Sequence, residues 1–404
     1  MKPATFEDWV SRLAPLQVIA PAERFFHGQD PRVVAERLTL FYESGRNLRK
    51  HLKQYAGFEP NARQASDIAA CLRQGREFLR SSQNADLIIK PITLYYGMAC
   101  YAKALTISFG NPGALDQFPS RHGLKAPSIF GVPMEDLWLR ADGNDGLFQR
   151  FVSVLGEVSG ILAETRDGHK LWIHVDTGAA GIGSFETNLK GLLARVVGLE
   201  DFFRATFDEL PQNAPVELKL AQFGPPDALP QASLVFKLPP GSNEAWVRSL
   251  HPRLENWLYR DKENKFGDQA RGEAIFENLA PETDPRPPTA DEQARLLRPL
   301  GDLLIPMTRG SQGDYRLVGA VGGITVPEPA IQLATAFLLS TVARYRPDIW
   351  SVFSSFNPGD KDLGLRALLE AFFERALTIY PLQILAALGR TGIVVWSGRP
   401  LVWA

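Results

Sequence analysis

The sequence of 404 residues contains few cysteines, no long uncharged apolar run and almost no net charge. Its two cysteines, Cys71 and Cys100, lie in apolar helical surroundings. They exclude a disulfide scaffold or a cysteine-rich zinc site and favour a reducing compartment. The net charge of -1 provides no overall field that would attract nucleic acid. Any binding of a polyanion therefore requires a local basic patch.

Several common signatures are also missing. The sequence has no GxxxxGK[ST], GxGxxG, HExxH or GxSxG motif, and we predict no metal and no cofactor. The N-terminus contains acidic residues and lacks a continuous apolar run of signal-peptide length. The longest apolar segment, residues 92–109, contains Lys103, Gly97 and three tyrosines, so we predict no transmembrane helix. We therefore expect a cytoplasmic protein.

Residues 92–109 form the segment around which the rest of the chain is organised. They are apolar almost all the way round, which is typical of a helix buried on every side. Pro91 suits the first helical position, because its missing N–H would have no partner there. The loop that follows carries Arg121 and His122 beside the turn residue Gly123. The sequence thus predicts a buried helix that leads to a cationic pair, which is our best candidate for a functional centre.

The regions that precede this helix are also predicted to be helical. Residues 31–54 have an amphipathic pattern that ends in the basic run RNLRKHLK, and residues 62–81 have an inner apolar stripe with arginines on the outer face. We expect residues 1–160 to form an all-helical domain.

The pattern then changes. Residues 170–175, 216–220 and 232–238 alternate in the manner of strands and predict a small middle sheet, whereas residues 185–210 keep a helical period. Residues 262–289 are rich in charge, proline and glycine, and the segment PETDPRPPTADE at 281–292 indicates a loop or linker.

We accordingly predict a mainly α (α+β) fold. It comprises a helical domain at 1–160, a mixed α/β segment at 161–285 and a helical C-terminal domain at 286–404. The last domain contains apolar helices that pack back onto the first.

Four stretches resemble a known family. The run KPITLYYGMACYAKAL followed by RHGL, and the later LLSTVARYRPDIW and EAFFERALTIYP, resemble the YaaC-like family in order and spacing over roughly residues 60–385. The first block is also similar to the HEPN superfamily, whose helical domains carry a tyrosine-rich helix followed by a loop histidine. Many HEPN proteins are ribonucleases or nucleotide-modifying partners in toxin–antitoxin and phage-defence systems. The resemblance implies a HEPN-like bundle, a homodimer, and RNA, a nucleotide or a protein from the same operon as partner.

The HEPN resemblance also implies a metal-independent chemistry. Its ribonucleases use an R-x4-6-H motif in which the histidine transfers a proton and the arginine stabilises charge on the phosphate. Among the six histidines only His51, with Arg46 in RNLRKH, has an arginine at that spacing. Arg46 and His51 are therefore catalytic candidates. The alternative, which we favour, is that they form a solvated basic helix end.

The other catalytic candidates are Arg121 and His122, and for them a functional role and a helix-capping role are equally open. Candidate binding residues are Tyr96 and Lys103 on the tyrosine-rich helix, although Lys103 also fits a lysine that reaches solvent along its aliphatic stem. Near the C-terminus, the candidates that would clamp a phosphate or stack on a base are Arg344, Arg346 and Trp350. For these three we favour a structural anchoring role.

The leading functional hypothesis is a HEPN-like component of a bacterial antiviral defence or toxin system that acts as a metal-independent ribonuclease. The alternative is a non-catalytic module that binds a partner protein or a nucleotide through the same region. A third hypothesis is a scaffold whose helices only mediate assembly.

Overall fold

The computed structural model describes residues 16–20, 23–56, 59–109, 115–126, 132–143, 146–158, 160–164, 170–175, 183–221, 231–261, 273–278, 307–309, 315–355, 363–390, 392–396 and 402–403. Helices account for most of its buried core, and short strands connect and flank them.

The region predicted as one amphipathic helix at 31–54 is divided into three pieces. Helix α1, Pro31–Glu43, begins after Asp30, whose carboxylate accepts the Arg32 N–H at 2.7 Å. The chain leaves the helical conformation at Ser44, which becomes the N-cap of helix α2, Gly45–His51. A π-helical turn, Leu52–Ala56, continues α2. The basic run predicted from the sequence therefore lies on α2 and this turn.

The next two helices form the centre of the fold. Helix α3, Ala62–Gln83, starts with a reciprocal capping box in which Asn61 and Gln64 each accept the other's backbone N–H. Helix α4, Lys90–Phe109, packs along α3 and is buried from Pro91 to Ser108 with few exceptions. The prediction of a buried central helix is confirmed.

The C-terminal helices pack against α4 and against one another. They are α9, Glu328–Tyr345, α10, Pro347–Ser354, α11, Leu363–Thr378 and α12, Tyr380–Gly389, and α5, Leu147–Val158, joins them. The Tyr380 hydroxyl donates to the Met98 carbonyl of α4 at 3.0 Å. One hydrophobic cluster contains residues from Val34 to Val395, so the N-terminal and C-terminal helices share a core.

The described strands form four sheets. Strands β1, Leu16–Ala20, β6, Lys170–Val175 and β5, Gly160–Glu164 form the first, in that order. Strands β3, Leu124–Lys125, β4, Trp138–Ala141 and β7, Phe185–Asn188 form the second. In the third, β14, Gly392–Trp396 pairs in parallel with β2, Glu23–His27 and antiparallel with β15, Val402–Trp403. These pairings join segments that are far apart in sequence.

The fourth sheet is the middle sheet, with six antiparallel strands in the order β10-β11-β9-β8-β13-β12. Its strands are β8, Asn213–Ala221, β9, Gln231–Lys237, β10, Leu258–Asp261, β11, Glu273–Asn278, β12, Met307–Arg309 and β13, Tyr315–Val318. Phe236 and Phe276 pack edge to face in its interior. Helix α8, Glu244–Leu250, covers it, with Arg248 over the Phe276 ring at 5.1 Å.

Two expectations need correction. Residues 1–160 are not all helical, because β3 and β4 lie within them and pair with β7. Residues 185–210 are not one helical run either: β7 is followed by two short helices, α6, Leu189–Leu193 and α7, Glu200–Phe207. Both differences have one cause. Short strands are stabilised by partner strands that are distant in sequence, and the local periodicity of a segment does not indicate those partners.

The architecture is mainly α with small sheets, as predicted. The proposed linker at 281–292 lies outside the described residues, and the boundaries between the three domains stay a prediction. Among the described helices, the continuous stretch Leu363–Gly389 is long and apolar enough to cross a membrane by length and composition. However, 72% of its apolar window is buried inside the protein, and buried core helices meet the same criterion.

Candidate functional site

The predicted loop histidine meets the tyrosine-rich helix. The hydroxyl of Tyr95 on α4 lies 2.6 Å from Nδ1 of His122, and the two rings are 5.6 Å apart in an edge contact. Phe337 of α9 packs against both rings, at 5.5 Å from Tyr95 and 5.6 Å from His122. A side chain from the loop, one from α4 and one from α9 therefore converge.

The backbone of the loop is fixed by the start of α5. The carbonyls of Arg121 and His122 accept the N–H groups of Leu147 and Phe148, both at 3.0 Å. These are N–H groups of the first helical turn, which have no partner within the helix. The loop thus caps a neighbouring helix, as one of our two interpretations proposed, but with main-chain carbonyls. The His122 side chain is left to contact Tyr95.

Gly123 makes this approach possible. Its φ of +78° lies in the left-handed region, and a Cβ there would lie 1.8 Å from the side-chain oxygen of Gln149. The Gln149 amide instead donates to the Gly123 carbonyl at 2.8 Å. The RHGL turn therefore needs glycine on both conformational and steric grounds.

Arg344, near the C-terminal end of α9, lies between two tyrosines. Its Nη1 donates to the Tyr96 hydroxyl at 3.1 Å, and its guanidinium carbon lies 5.8 Å from the Tyr96 ring centre and 5.2 Å from that of Tyr345. Tyr96 in turn stacks on Phe78 of α3 at 5.7 Å. Tyr345 is 66% exposed. A guanidinium and an accessible aromatic ring therefore lie next to each other at the surface.

The electrostatics of the site keep the imidazole neutral. The pKa of His122 is lowered, chiefly by partial burial and then by the positive charges of Arg344 and Lys103. Burial raises the pKa of Tyr95, so its hydroxyl keeps its proton near neutral pH. We call Tyr95, Tyr96, His122, Phe337 and Arg344 the His122 cluster, with Lys103 as a nearby cation.

The cluster brings together His122, Tyr96, Arg344 and the charge of Lys103 from the predicted set. Arg121 is exposed, and its carbonyl is the group that bonds to α5. The sequence reasoning missed Tyr95 and Phe337. Tyr95 had one available signal, because it precedes Tyr96 on a helix already expected to be buried. A buried tyrosine hydroxyl requires a hydrogen-bond partner, and a loop histidine supplies one.

The other Arg–His pair, Arg46 and His51, does not lie on one surface of the protein. His51 is 4% exposed, and its ring packs edge to face on Tyr42 at 5.1 Å and on Phe41 at 6.4 Å. Our interpretation of this residue as part of a solvated helix end is therefore wrong for His51. It holds for Arg46, which is exposed and lines a surface groove. The amphipathic period of α2 places the two side chains on different faces.

Arg346 and Trp350 serve as anchors. Arg346 forms a two-pronged ion pair with Asp348, at 3.0 and 2.8 Å. Trp350 is 1% exposed, and its indole N–H donates to the Leu87 carbonyl at 3.0 Å. The structural role that we favoured for these residues agrees with these contacts, whereas Arg344 belongs to the His122 cluster.

No group of three or more histidine, cysteine, aspartate or glutamate side chains that could hold a metal ion occurs within the described residues. Cys71 and Cys100 are buried free thiols. Burial raises the pKa of Cys71 to about 12 and that of Cys100 to about 11, so both stay protonated.

Fold and site together define a mainly helical protein whose candidate site is assembled where N-terminal helices meet C-terminal ones. The family model described as YaaC-like Protein matches residues 40–388, a range that includes both His122 and Arg344. The chain belongs to the YaaC-like family. No curated protein and no solved structure matches it.

Proposed function

We propose that this protein is a HEPN-like, RNA-directed component of a bacterial antiviral defence or toxin system, and that the His122 cluster cleaves RNA without a metal. The observation that carries the proposal is the contact between the Tyr95 hydroxyl and Nδ1 of a surface histidine, with Arg344 nearby. In the tautomer that carries its proton on Nδ1 and donates it to the Tyr95 oxygen, this contact orients the imidazole and leaves the Nε2 lone pair to accept a substrate proton.

The chemistry follows from these groups. Nε2 of neutral His122 takes the proton of a ribose 2′-hydroxyl, and the 2′-oxygen attacks the adjacent phosphorus. The bond to the 5′-oxygen breaks, and that oxygen leaves with a proton from water or from a second copy of the chain. The products are a 2′,3′-cyclic phosphate and a 5′-hydroxyl end. The guanidinium of Arg344 stabilises the charge that develops on the phosphate.

The His122 cluster contains one imidazole, which also supports our prediction of a homodimer, since a second copy of the chain would provide the acid. Light scattering should then give twice the chain mass of 44.7 kDa at micromolar concentration. A mass of one chain would leave water as the acid and remove this part of the proposal.

The test is cleavage of single-stranded RNA and transfer RNA in EDTA, read as cyclic-phosphate ends. His122→Ala should lower the rate by about 10²–10⁴-fold, and Arg344→Gln by about 10²-fold. Arg346→Gln is the matched control, because it changes a nearby arginine already paired with Asp348. Because the pKa of His122 is lowered, the parent rate should rise with pH only below the ordinary histidine value and stay level above it.

A second candidate function is a non-catalytic module that binds a nucleotide. It is favoured by the adjacency of Arg344 and the exposed Tyr345, since a guanidinium and an aromatic ring hold a phosphate and a base without proton transfer. Calorimetric titration of the parent with nucleotides would then show binding that Tyr345→Ala weakens. Detectable binding with no cleavage of any RNA would exclude the ribonuclease and favour this module.

A further inference from the structure

A second charged surface lies away from the His122 cluster, between α2 and α3. It is a groove of about 720 Å³. Its rim carries five cationic side chains, namely Arg46, Arg49, Lys50, Lys53 and Arg73, against two carboxylates, Glu43 and Glu59. Its lining thus has a formal charge of +3 in a protein whose net charge is -1.

The floor of the groove is made by one face of α3. Its residues are Ala62, Ala65, Ser66, Ala69 and Ala70, with Arg73 one turn further on. These positions follow the i, i+3, i+4, i+7, i+8 spacing of a single helical stripe. Because each side chain is small, α3 leaves open space beside α2 that larger residues would fill.

The carboxylates neutralise only part of the positive charge. Glu59 pairs with Arg49 at 3.0 Å and with Lys53 at 2.7 Å, and Glu43 pairs with Arg73 at 3.4 Å. Arg46 and Lys50 are exposed and form no ion pair within the described part of the chain. Within that part of the chain, two cations are therefore held at the rim without a counter-ion.

The shape and composition of the groove select the kind of anion. The stripe from Ala62 to Arg73 extends about 16 Å along α3 at the helical rise, which is long enough for several phosphates of an extended strand. No aromatic ring lines the groove in the described residues, so it offers no stacking surface for a base. A compact nucleotide would lose that contact, whereas the phosphates of a sugar–phosphate strand contact the cations without it.

We infer that this groove binds the phosphodiester backbone of single-stranded RNA without reading its sequence. Arg46 and Lys50 supply the uncompensated charge, and Arg49, Lys53 and Arg73 align the strand. Arg46 thereby acts in binding, separately from the buried His51. The inference rests on the proposed function only for the identity of the polymer.

The experiment measures binding separately from cleavage. A fluorescent 2′-O-methyl uridine dodecamer, which has no 2′-hydroxyl to attack phosphorus, is titrated with the full chain and followed by anisotropy at several salt concentrations. Neutralising about three phosphates should give a slope of log K against log salt of about -2, because each contact on a single strand contributes about 0.7. A failure of catalysis at His122 would leave this result unchanged.

The Arg46→Gln/Lys50→Gln double variant should bind about tenfold more weakly at low salt and lower the magnitude of the slope by about 1.4. The matched control is Arg37→Gln/Lys237→Gln, which removes one arginine and one lysine that are exposed elsewhere. It should stay within about twofold of the parent. Ala70→Glu, which adds a carboxylate to the floor on a helix-favouring residue, should weaken binding at least as much as the double variant.

Competition decides between the possible anions. An unlabelled 2′-O-methyl uridine dodecamer that displaces the probe, where polyglutamate and inorganic triphosphate do not at equal charge, supports the backbone site. Displacement by triphosphate as strong as by RNA would overturn it in favour of a compact polyphosphate ligand. Preferential displacement by polyglutamate would overturn it in favour of an acidic protein. Equal affinity and slope for the parent and both groove variants would also reject it.

Discussion

Three histidines have different surroundings and therefore different chemistry. His51 packs among aromatic rings, His122 lies at the surface with Nδ1 against a tyrosine hydroxyl, and His251 is buried between two hydrogen-bond partners. Only His122 combines accessibility with a fixed orientation, which proton transfer to a substrate requires. The residue type alone does not determine which imidazole is available.

His251 provides a test of acid sensitivity. It is 2% exposed, its Nδ1 accepts the Arg253 N–H at 3.2 Å, and its Nε2 lies 2.8 Å from the Thr325 hydroxyl. Nδ1 must therefore be unprotonated in the folded protein. Burial, followed by the charge of Arg253, lowers its pKa from 6.5 to about 4. The unfolded chain consequently binds a proton that the folded chain does not, between those two values.

The direction in which stability changes with pH follows from that difference in proton binding. The contribution of His251 to stability is complete above pH 6.5 and is lost as the pH falls towards about 4. The full loss corresponds to about 3 kcal/mol of the free energy of unfolding. Urea denaturation at pH 7, 5.5 and 4.5 should show that His251→Asn, which keeps a capping side chain but does not titrate, loses less stability with acid than the parent. Parallel losses would contradict this assignment.

Two arginines also show which contacts can be predicted from the sequence and which cannot. Arg344 and Arg346 are two residues apart in one motif, yet one joins the His122 cluster and the other pairs with Asp348. The Asp348 pairing is local and could be read from the sequence. The contact with Tyr96 joins positions 248 residues apart, so no local pattern predicts it.

At the scale of elements, α3 and α4 approach closely because glycines face the neighbouring helix. Gly97 of α4 meets Leu79 of α3, and Gly75 of α3 meets the ring of Tyr101. The apolar circumference of α4 was enough to predict that it is central. The sequence did not reveal which glycines set the helix separation. The local pattern is the same whether a helical glycine contacts a neighbouring helix or has open space beside it.

Two alanine substitutions distinguish these cases. A Cβ on Gly97 would lie 2.6 Å from a methyl carbon of Leu79 and 3.2 Å from its backbone nitrogen, so Gly97→Ala should destabilise the protein by about 1–3 kcal/mol. Gly156 of α5 has nothing within 4 Å of the same position, so Gly156→Ala should stabilise it by up to about 1 kcal/mol. Chemical denaturation measures both. A neutral or stabilising effect of Gly97→Ala would show that packing at Gly97 does not limit the helix separation.

Strands were predicted less completely than helices. The three alternating segments at 170–175, 216–220 and 232–238 do form strands, although the first belongs to a different sheet from the other two. The four-residue strands β4 and β7 were missed. Their pairing joins Trp138 to Asn188 and Ala141 to Phe185, and such short segments become strands only when the partner is present.

At the scale of the whole molecule, the two ends of the chain are joined by packing and by directed hydrogen bonds. Strand β14 lies parallel to β2, Tyr380 bonds to Met98, and Trp350 bonds to Leu87. The His122 cluster lies at the same junction, with His122 and Tyr95 on one side and Arg344 on the other. Formation of the site therefore depends on the docking of the C-terminal helices.

This dependence predicts the behaviour of a chain divided between residues 278 and 307. Neither piece should unfold cooperatively alone, because α4 and α9 would each expose an apolar surface that the other half covers. Co-expressed pieces should associate and give one cooperative transition by circular dichroism. Trp350→Phe in the C-terminal piece should weaken the association, since the Leu87 carbonyl loses its buried donor, at a cost of about 1–3 kcal/mol. If the N-terminal piece alone melted cooperatively near the temperature of the intact chain, the helical domain would be independent, and Arg344 would be an addition to a site that forms without it.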